Sequence, residues 1–140
     1  MKQELICKKD LDIRFSDVDC LGMVWHGNYI KYIEDGREAF GKKFGLQYWD
    51  IHEQGFVTPI VKLNIDYKKS LRLGDNAIIV TKFIDSEAAK IIFEYTILKV
   101  PDNIVIATAE SVQVFLTNKG DLHLTIPDFF IEWKKQWNLI

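Results

Sequence analysis

The apolar residues of this chain take a helical period in one long stretch only, from Tyr29 to Phe44. There Ile30, Ile33, Arg37, Phe40 and Phe44 fall at steps of three or four, with Tyr29, Gly36 and Ala39 beside them. Gly45 stands where such a helix would stop. The other long runs read as strands. Residues 5–15 place Leu5, Cys7, Leu11, Ile13 and Phe15 on odd positions, with a kink near Lys8–Asp10. Val61, Leu63, Ile65 and Tyr67 alternate with polar residues, and 77–84, 90–100 and 104–117 are rich in β-branched and aromatic side chains. The turns between them, at 73–76, 101–103 and 118–121, are short. Consecutive strands on short turns pair antiparallel. The expectation is therefore an α+β fold, a five-stranded antiparallel sheet wrapped around one long central helix. A helical turn at 47–54 and a short aromatic C-terminal helix at 128–137 complete it. No linker or repeat interrupts the chain, so residues 1–140 read as a single domain.

Composition removes several function classes. With 48% hydrophobic residues in 140, the chain has the apolar surface that a disordered segment lacks. Two cysteines, Cys7 and Cys20, are too few for a disulfide scaffold and read as reduced thiols. A formal charge of −2 offers no electrostatic footprint for nucleic acid. No run approaches the roughly 18 apolar residues of a membrane span. The N-terminal segment has no apolar core of a secretory signal, so a cytoplasmic location is expected. His26, His52 and His123 are scattered, which predicts no metal site. Phosphate-binding glycine loops and nucleophile elbows are missing from the sequence.

What remains is the stretch from Arg14 to Tyr29, RFSDVDCLGMVWHGNY. It brings two carboxylates, an imidazole and two glycines to the start of the long helix. A helix N-terminus carries unsatisfied N–H groups and partial positive charge. That setting suits an oxyanion, with a carboxylate as nucleophile or base. The plainer reading makes Asp17 and Asp19 turn formers and Gly22 a left-handed turn residue. Asn28 or Gly27 is placed to cap the helix. Arg37, on the apolar face, calls for a carboxylate partner from the sheet or from a second subunit.

The spacing Asp17-x-Asp19-x-x-Gly22-x-Val24-x-His26-x-x-Tyr29 resembles the signature of the 4-hydroxybenzoyl-CoA thioesterase group of hotdog-fold acyl-CoA thioesterases. The resemblance continues through Thr58-Pro59-Ile60-Val61, Ile65-x-Tyr67 and Leu71-x-x-Gly74-Asp75, in the same element order. It implies a hotdog fold whose active site lies at the interface of a homodimer, with pairing into a homotetramer open. It implies hydrolysis of an acyl-CoA thioester with no cofactor, CoA being part of the substrate. Asp19 would act as nucleophile or general base, and the backbone N–H of His26 would polarise the thioester carbonyl. Trp25, Gly27, Tyr29 and Thr58 would contact substrate. Lys90 is what remains of a basic cluster for the CoA phosphates, with Lys68, Lys69 and Arg72 as substitutes. An acyl carrier protein as the carrier, and a non-catalytic domain that binds acyl-CoA or a protein, are the alternatives.

Overall fold

In a computed structural model, residues 3–140 are described. The five-stranded antiparallel sheet is formed by β1 (Ile6–Leu11), β3 (Ile60–Tyr67), β4 (Ala77–Ile84), β5 (Lys90–Lys99) and β6 (Ile104–Val114). Its order is β1-β4-β5-β6-β3, so β1 and β3 are the edges. The long helix α1 (Tyr29–Phe44) lies across the sheet and packs on β1, β4 and β5. A second pair, β2 (Phe56–Val57) with β7 (Leu116–Thr117), closes one end beside the short helix α2 (Tyr48–Glu53). Helix α3 (Asp128–Gln136) follows.

The helix face differs from the expected stripe at one point. Tyr29, Tyr32, Ile33, Gly36, Phe40 and Phe44 are buried, whereas Ile30 is exposed. Gly36 is required by a close approach: a Cβ there would lie 2.6 Å from Thr81 Oγ1 on β4. The missing side chain lets α1 settle onto the sheet. Phe40 is wholly buried, edge-on to Phe93 and stacked on Phe83. Burying such a ring stabilises by roughly 1.5–3 kcal/mol. Gly45 ends the helix with φ 73°, a left-handed cap that spares Cβ strain.

Helix α3 is clasped to this core by polar contacts. The indole N–H groups of Trp133 and Trp137 both donate to the Phe44 carbonyl, at 2.7 and 3.0 Å. That carbonyl belongs to the last turn of α1, where acceptors lack helical partners. Lys134, also buried, pairs with Asp85 and donates to the Ser86 carbonyl, each at 2.8 Å.

Three expectations need correction. The first strand stops at Leu11, and Phe15–Asp17 forms a 3-10 turn with Phe15 in solvent. The run 104–117 is not one strand. Phe115 interrupts it, fully buried against Phe130, and the chain leaves the main sheet to pair as β7 with β2. Within the chain, Arg37 takes its carboxylate from its own helix and not from the sheet. It binds Glu34, one turn earlier on α1, at the i,i+3 spacing.

Candidate active site

The loop ahead of α1 is built around Asp17. Its carboxylate is buried and accepts from the Arg14 backbone N–H at 3.1 Å and the Tyr32 hydroxyl at 3.0 Å. Its main-chain carbonyl accepts from Trp25 N–H at 2.9 Å and Asn28 Nδ2 at 2.7 Å. Asp17 is thus a brace, and Asn28 braces with it rather than capping: its backbone is helical and its side chain caps nothing. Burial first, and then the Asp17 carboxylate, hold the Tyr32 phenol well above its ordinary pKa. The tyrosine therefore stays a donor to Asp17 at any physiological pH.

Asp19 is exposed and serves the loop through one oxygen. Oδ1 accepts from Leu21 N–H at 2.9 Å and Met23 N–H at 3.2 Å. Gly22, at φ 77°, turns the chain where a side chain would be strained. Asp19 is therefore a turn former, as the plainer reading held, yet Oδ2 makes no hydrogen bond among the described residues. A bridge between Val18 and Val24 folds the loop back on itself. Val24 N–H to Leu71 O at 2.8 Å and Leu73 N–H to Gly22 O at 3.1 Å stitch it to the segment after β3.

A separate 3-10 turn leads into α1 at Tyr29. It spans His26–Asn28, and its flanking residue Trp25 is extended, φ −63°, ψ 136°. The first bond of the turn is Asn28 N–H to Trp25 O at 2.9 Å. The N–H groups of His26 and Gly27 precede it and make no hydrogen bond among the described residues. They carry the positive end of the helix dipole. The His26 carbonyl is fixed by the Tyr67 hydroxyl at 2.8 Å, and its imidazole is exposed against the Trp25 ring. That indole covers Gly27, where a Cβ would meet it at 2.2 Å.

The other sequence candidates lie elsewhere in the chain. Tyr29 is buried under the loop, its hydroxyl accepting Leu71 N–H at 3.3 Å. Thr58 and Lys90 stand at the far end of the sheet. In register, Ile60 and Ile91 both face Gln113 of β6, whereas Tyr67 faces Ala107. The eight residues from Ile60 to Tyr67 span roughly 23 Å. Of the basic substitutes, Arg72 lies beside the loop, bridged to Met23.

At the Thr58 end a cleft of about 800 Å³ opens between α1, α2 and the sheet. Glu34, Arg37, Trp49, Thr58, Phe93 and Gln113 are among its walls. Gln113 and Trp49 were not singled out from sequence. Alternation in β6 gave no signal for Gln113: Ile104, Ile106, Val112 and Val114 hold the even positions, whereas Gln113 shares the odd ones with Ala107, Ala109 and Ser111. Among the described residues no three His, Cys, Asp or Glu side chains gather into a metal site, and no helix is long and apolar enough to cross a membrane.

Residues 13–134 match the family model described as the thioesterase-like superfamily. The chain belongs to that superfamily. It is 36% identical over 92 residues to a putative acyl-CoA thioesterase, YneP, of Bacillus subtilis, a match covering 66% of this chain and 67% of that one. It is 28% identical over 110 residues to the chloroplastic acyl-acyl carrier protein thioesterase ATL3 of Arabidopsis thaliana, over 79% of this chain and 58% of the plant protein's length. Among solved structures, the 4-hydroxybenzoyl-CoA thioesterase of Pseudomonas sp. strain CBS-3 superposes with a TM-score of 0.78 at 25% identity, over 91% of this chain and 98% of that one. A DHNA-CoA thioesterase from Staphylococcus aureus shares the fold, with a TM-score of 0.81 at 21% identity over 94% and 90% of the two chains. The thioesterase hotdog fold expected from the loop motif is therefore the fold of this chain, and acyl-CoA thioester hydrolysis is the activity that its family and relatives support.

Proposed function

We propose that Asp19 and the N–H groups at His26 and Gly27 form the catalytic half of a thioesterase site, and that a second copy of the chain supplies the acyl-binding half. The observation that carries the reading is the state of the loop. One carboxylate oxygen is pinned by two backbone donors while, among the described residues, the other has no hydrogen bond and the same loop ends in two helix N–H groups without acceptors. Asp19 Oδ2 attacks the thioester carbonyl carbon, or takes a proton from the water that does. The carbonyl oxygen gains negative charge and is held by the helix N-terminus. Collapse expels the CoA thiolate, and the acid leaves after water has been consumed.

The second copy follows from the edges. β1 presents an unbroken run of charge, Lys8, Lys9 and Asp10, which discourages strand addition, while β3 sets the exposed apolar Val61 and Tyr67 among Lys62, Asn64 and Asp66. Two β3 strands joined antiparallel about a two-fold axis bring the Thr58 end of one chain to the Tyr67 end of the other. The cleft, Thr58 and Lys90 of one subunit then face Asp19, Trp25 and His26 of its partner. Light scattering should give at least twice the 16.3 kDa chain mass; a stable monomer with full activity sinks this arrangement. An acyl carrier protein is the second candidate carrier, favoured by exposed Lys68, Lys69 and Arg72 beside the catalytic loop and by the carrier named for the Arabidopsis relative. Thiol release measured on matched acyl-CoA and acyl-carrier substrates separates the two. Release from neither refutes the enzyme reading and leaves the non-catalytic alternative.

A further inference from the structure

The reaction above leaves one side chain beside the loop without a role. Tyr67 ends β3, and its hydroxyl donates to the His26 carbonyl at 2.8 Å. A carbonyl only accepts, so the direction of that bond is fixed. Among the described residues it is the one side-chain hydrogen bond to the backbone of His26 or Gly27. The ring that carries the hydroxyl is itself held. Tyr29 packs edge-on against it, with ring centroids 5.2 Å apart. The Tyr67 backbone pairs with Ala107, and the next two N–H groups, of Lys68 and Lys69, donate to the Ile106 carbonyl at 2.8 and 3.0 Å. The hydroxyl is thus presented from an anchored strand end.

The bond acts through the peptide unit it touches. The His26 carbonyl and the Gly27 N–H belong to one planar trans group and point opposite ways. Fixing the carbonyl therefore fixes where the N–H points. Hydrogen bonds in series also polarise one another, so a carbonyl that accepts makes the N–H of its own peptide a stronger donor. That N–H is one of the two at the start of the turn that make no hydrogen bond among the described residues. On the other side of the unit the Trp25 indole covers Gly27, where a Cβ would meet it at 2.2 Å. Tyr67 and Trp25 between them leave this peptide little room to turn.

We propose that Tyr67 is a positioning residue for the reaction: its hydroxyl, through the His26 carbonyl, aims and polarises the Gly27 N–H toward the developing oxyanion. The inference rests on the thioesterase reading and adds a residue of the edge strand to its oxyanion site. Tyr67→Phe removes the hydroxyl and keeps the ring. Single-turnover hydrolysis of an acyl-CoA that the wild type turns over should slow by about three- to tenfold, the worth of one hydrogen bond. The matching thioether has no carbonyl to polarise, so its calorimetric Kd should stay at the wild-type value. The nitrogen chemical shift of the Gly27 amide should move upfield. The infrared carbonyl band of the thioester bound to Asp19→Asn should rise in frequency when Tyr67→Phe is added. Tyr67→Leu, which also lacks the donor, serves if the phenylalanine variant fails to fold. A single-turnover rate equal to the wild type overturns the assignment, whatever the amide shift. So does a slower rate matched by an equal weakening of thioether binding, which marks a structural role alone. A wild type that releases no thiol from any acyl-CoA refutes the hydrolase reading instead, and the Gly27 shift still decides whether Tyr67 governs that N–H.

Discussion

Replacing Asp19 with asparagine separates its two jobs, because the structure divides them between two oxygens. Oδ1 accepts from Leu21 and Met23, while Oδ2 makes no hydrogen bond among the described residues. An asparagine carbonyl can keep both backbone bonds, so the loop should stay closed and the melting temperature of Asp19→Asn should match the wild type. What disappears is the reactive carboxylate. Loss of a positioned base is worth about 10²–10⁴ in rate, which is roughly 2.7–5.4 kcal/mol of barrier. Asp19→Ala is the companion variant. It loses the pinned oxygen as well, so hydrogen exchange at the Leu21 and Met23 amides should quicken in the alanine variant and not in the asparagine variant. The assay is steady-state thiol release from an acyl-CoA that the wild type turns over, with exchange read by NMR or mass spectrometry. Turnover of Asp19→Asn within a few-fold of wild type, in a loop whose amides remain protected, would falsify the catalytic role and leave Asp19 as a turn former alone.

At position 26, His26→Pro should reduce kcat by about 10²–10³, the effect of removing one oxyanion donor, whereas His26→Ala should keep most activity. The extended backbone of Trp25 is the conformation that a following proline requires, so the proline variant should fold; equal losses in the two folded variants would move the role to the imidazole. Tyr32, Tyr29 and Tyr95 have raised pKa values, chiefly through burial, that of Tyr95 reaching about 12. A folded-state value above the unfolded value of about 10 favours the protonated native form, so this contribution to stability is whole below pH 10 and is lost as pH rises toward 12. Urea midpoints that stay flat from pH 9 to 12 would contradict the burial. Trp133→Phe and Trp137→Phe should each cost about 0.5–1.5 kcal/mol for one bond to the Phe44 carbonyl. The double variant strips that acceptor of both donors and should cost more than the sum, as urea unfolding of the four proteins would reveal.

Where one physical rule governs a segment, the sequence was enough. The helix bounds Tyr29–Phe44 and strand β4 at Ala77–Ile84 were as expected, since long periodic runs end at residues with a backbone reason, such as Gly45. Two-residue strands have no period, so β2 and β7 could not be read, and the break at Phe115 depends on a ring that packs against α3 from far along the chain. The thioesterase family was legible because the motif that resembles it is contiguous, in a loop that must turn before a helix. The spare oxygen of Asp19 and the free N–H groups were not, because they depend on which bonds the loop closes. The acyl-binding side was less legible still. Gln113, Thr58 and Trp49 meet only when three separate elements converge.

The placement of His26 and Thr58 at opposite ends of β3 has a genetic counterpart. In the proposed dimer, a lesion in the loop and a lesion in the cleft would damage different halves of one composite pocket. When two such defective proteins are denatured and refolded together, mixed pairs inherit one pocket with both halves sound and another with both spoiled. Activity should then return to a mixture of two inactive proteins, and two loop mutants mixed the same way should stay silent.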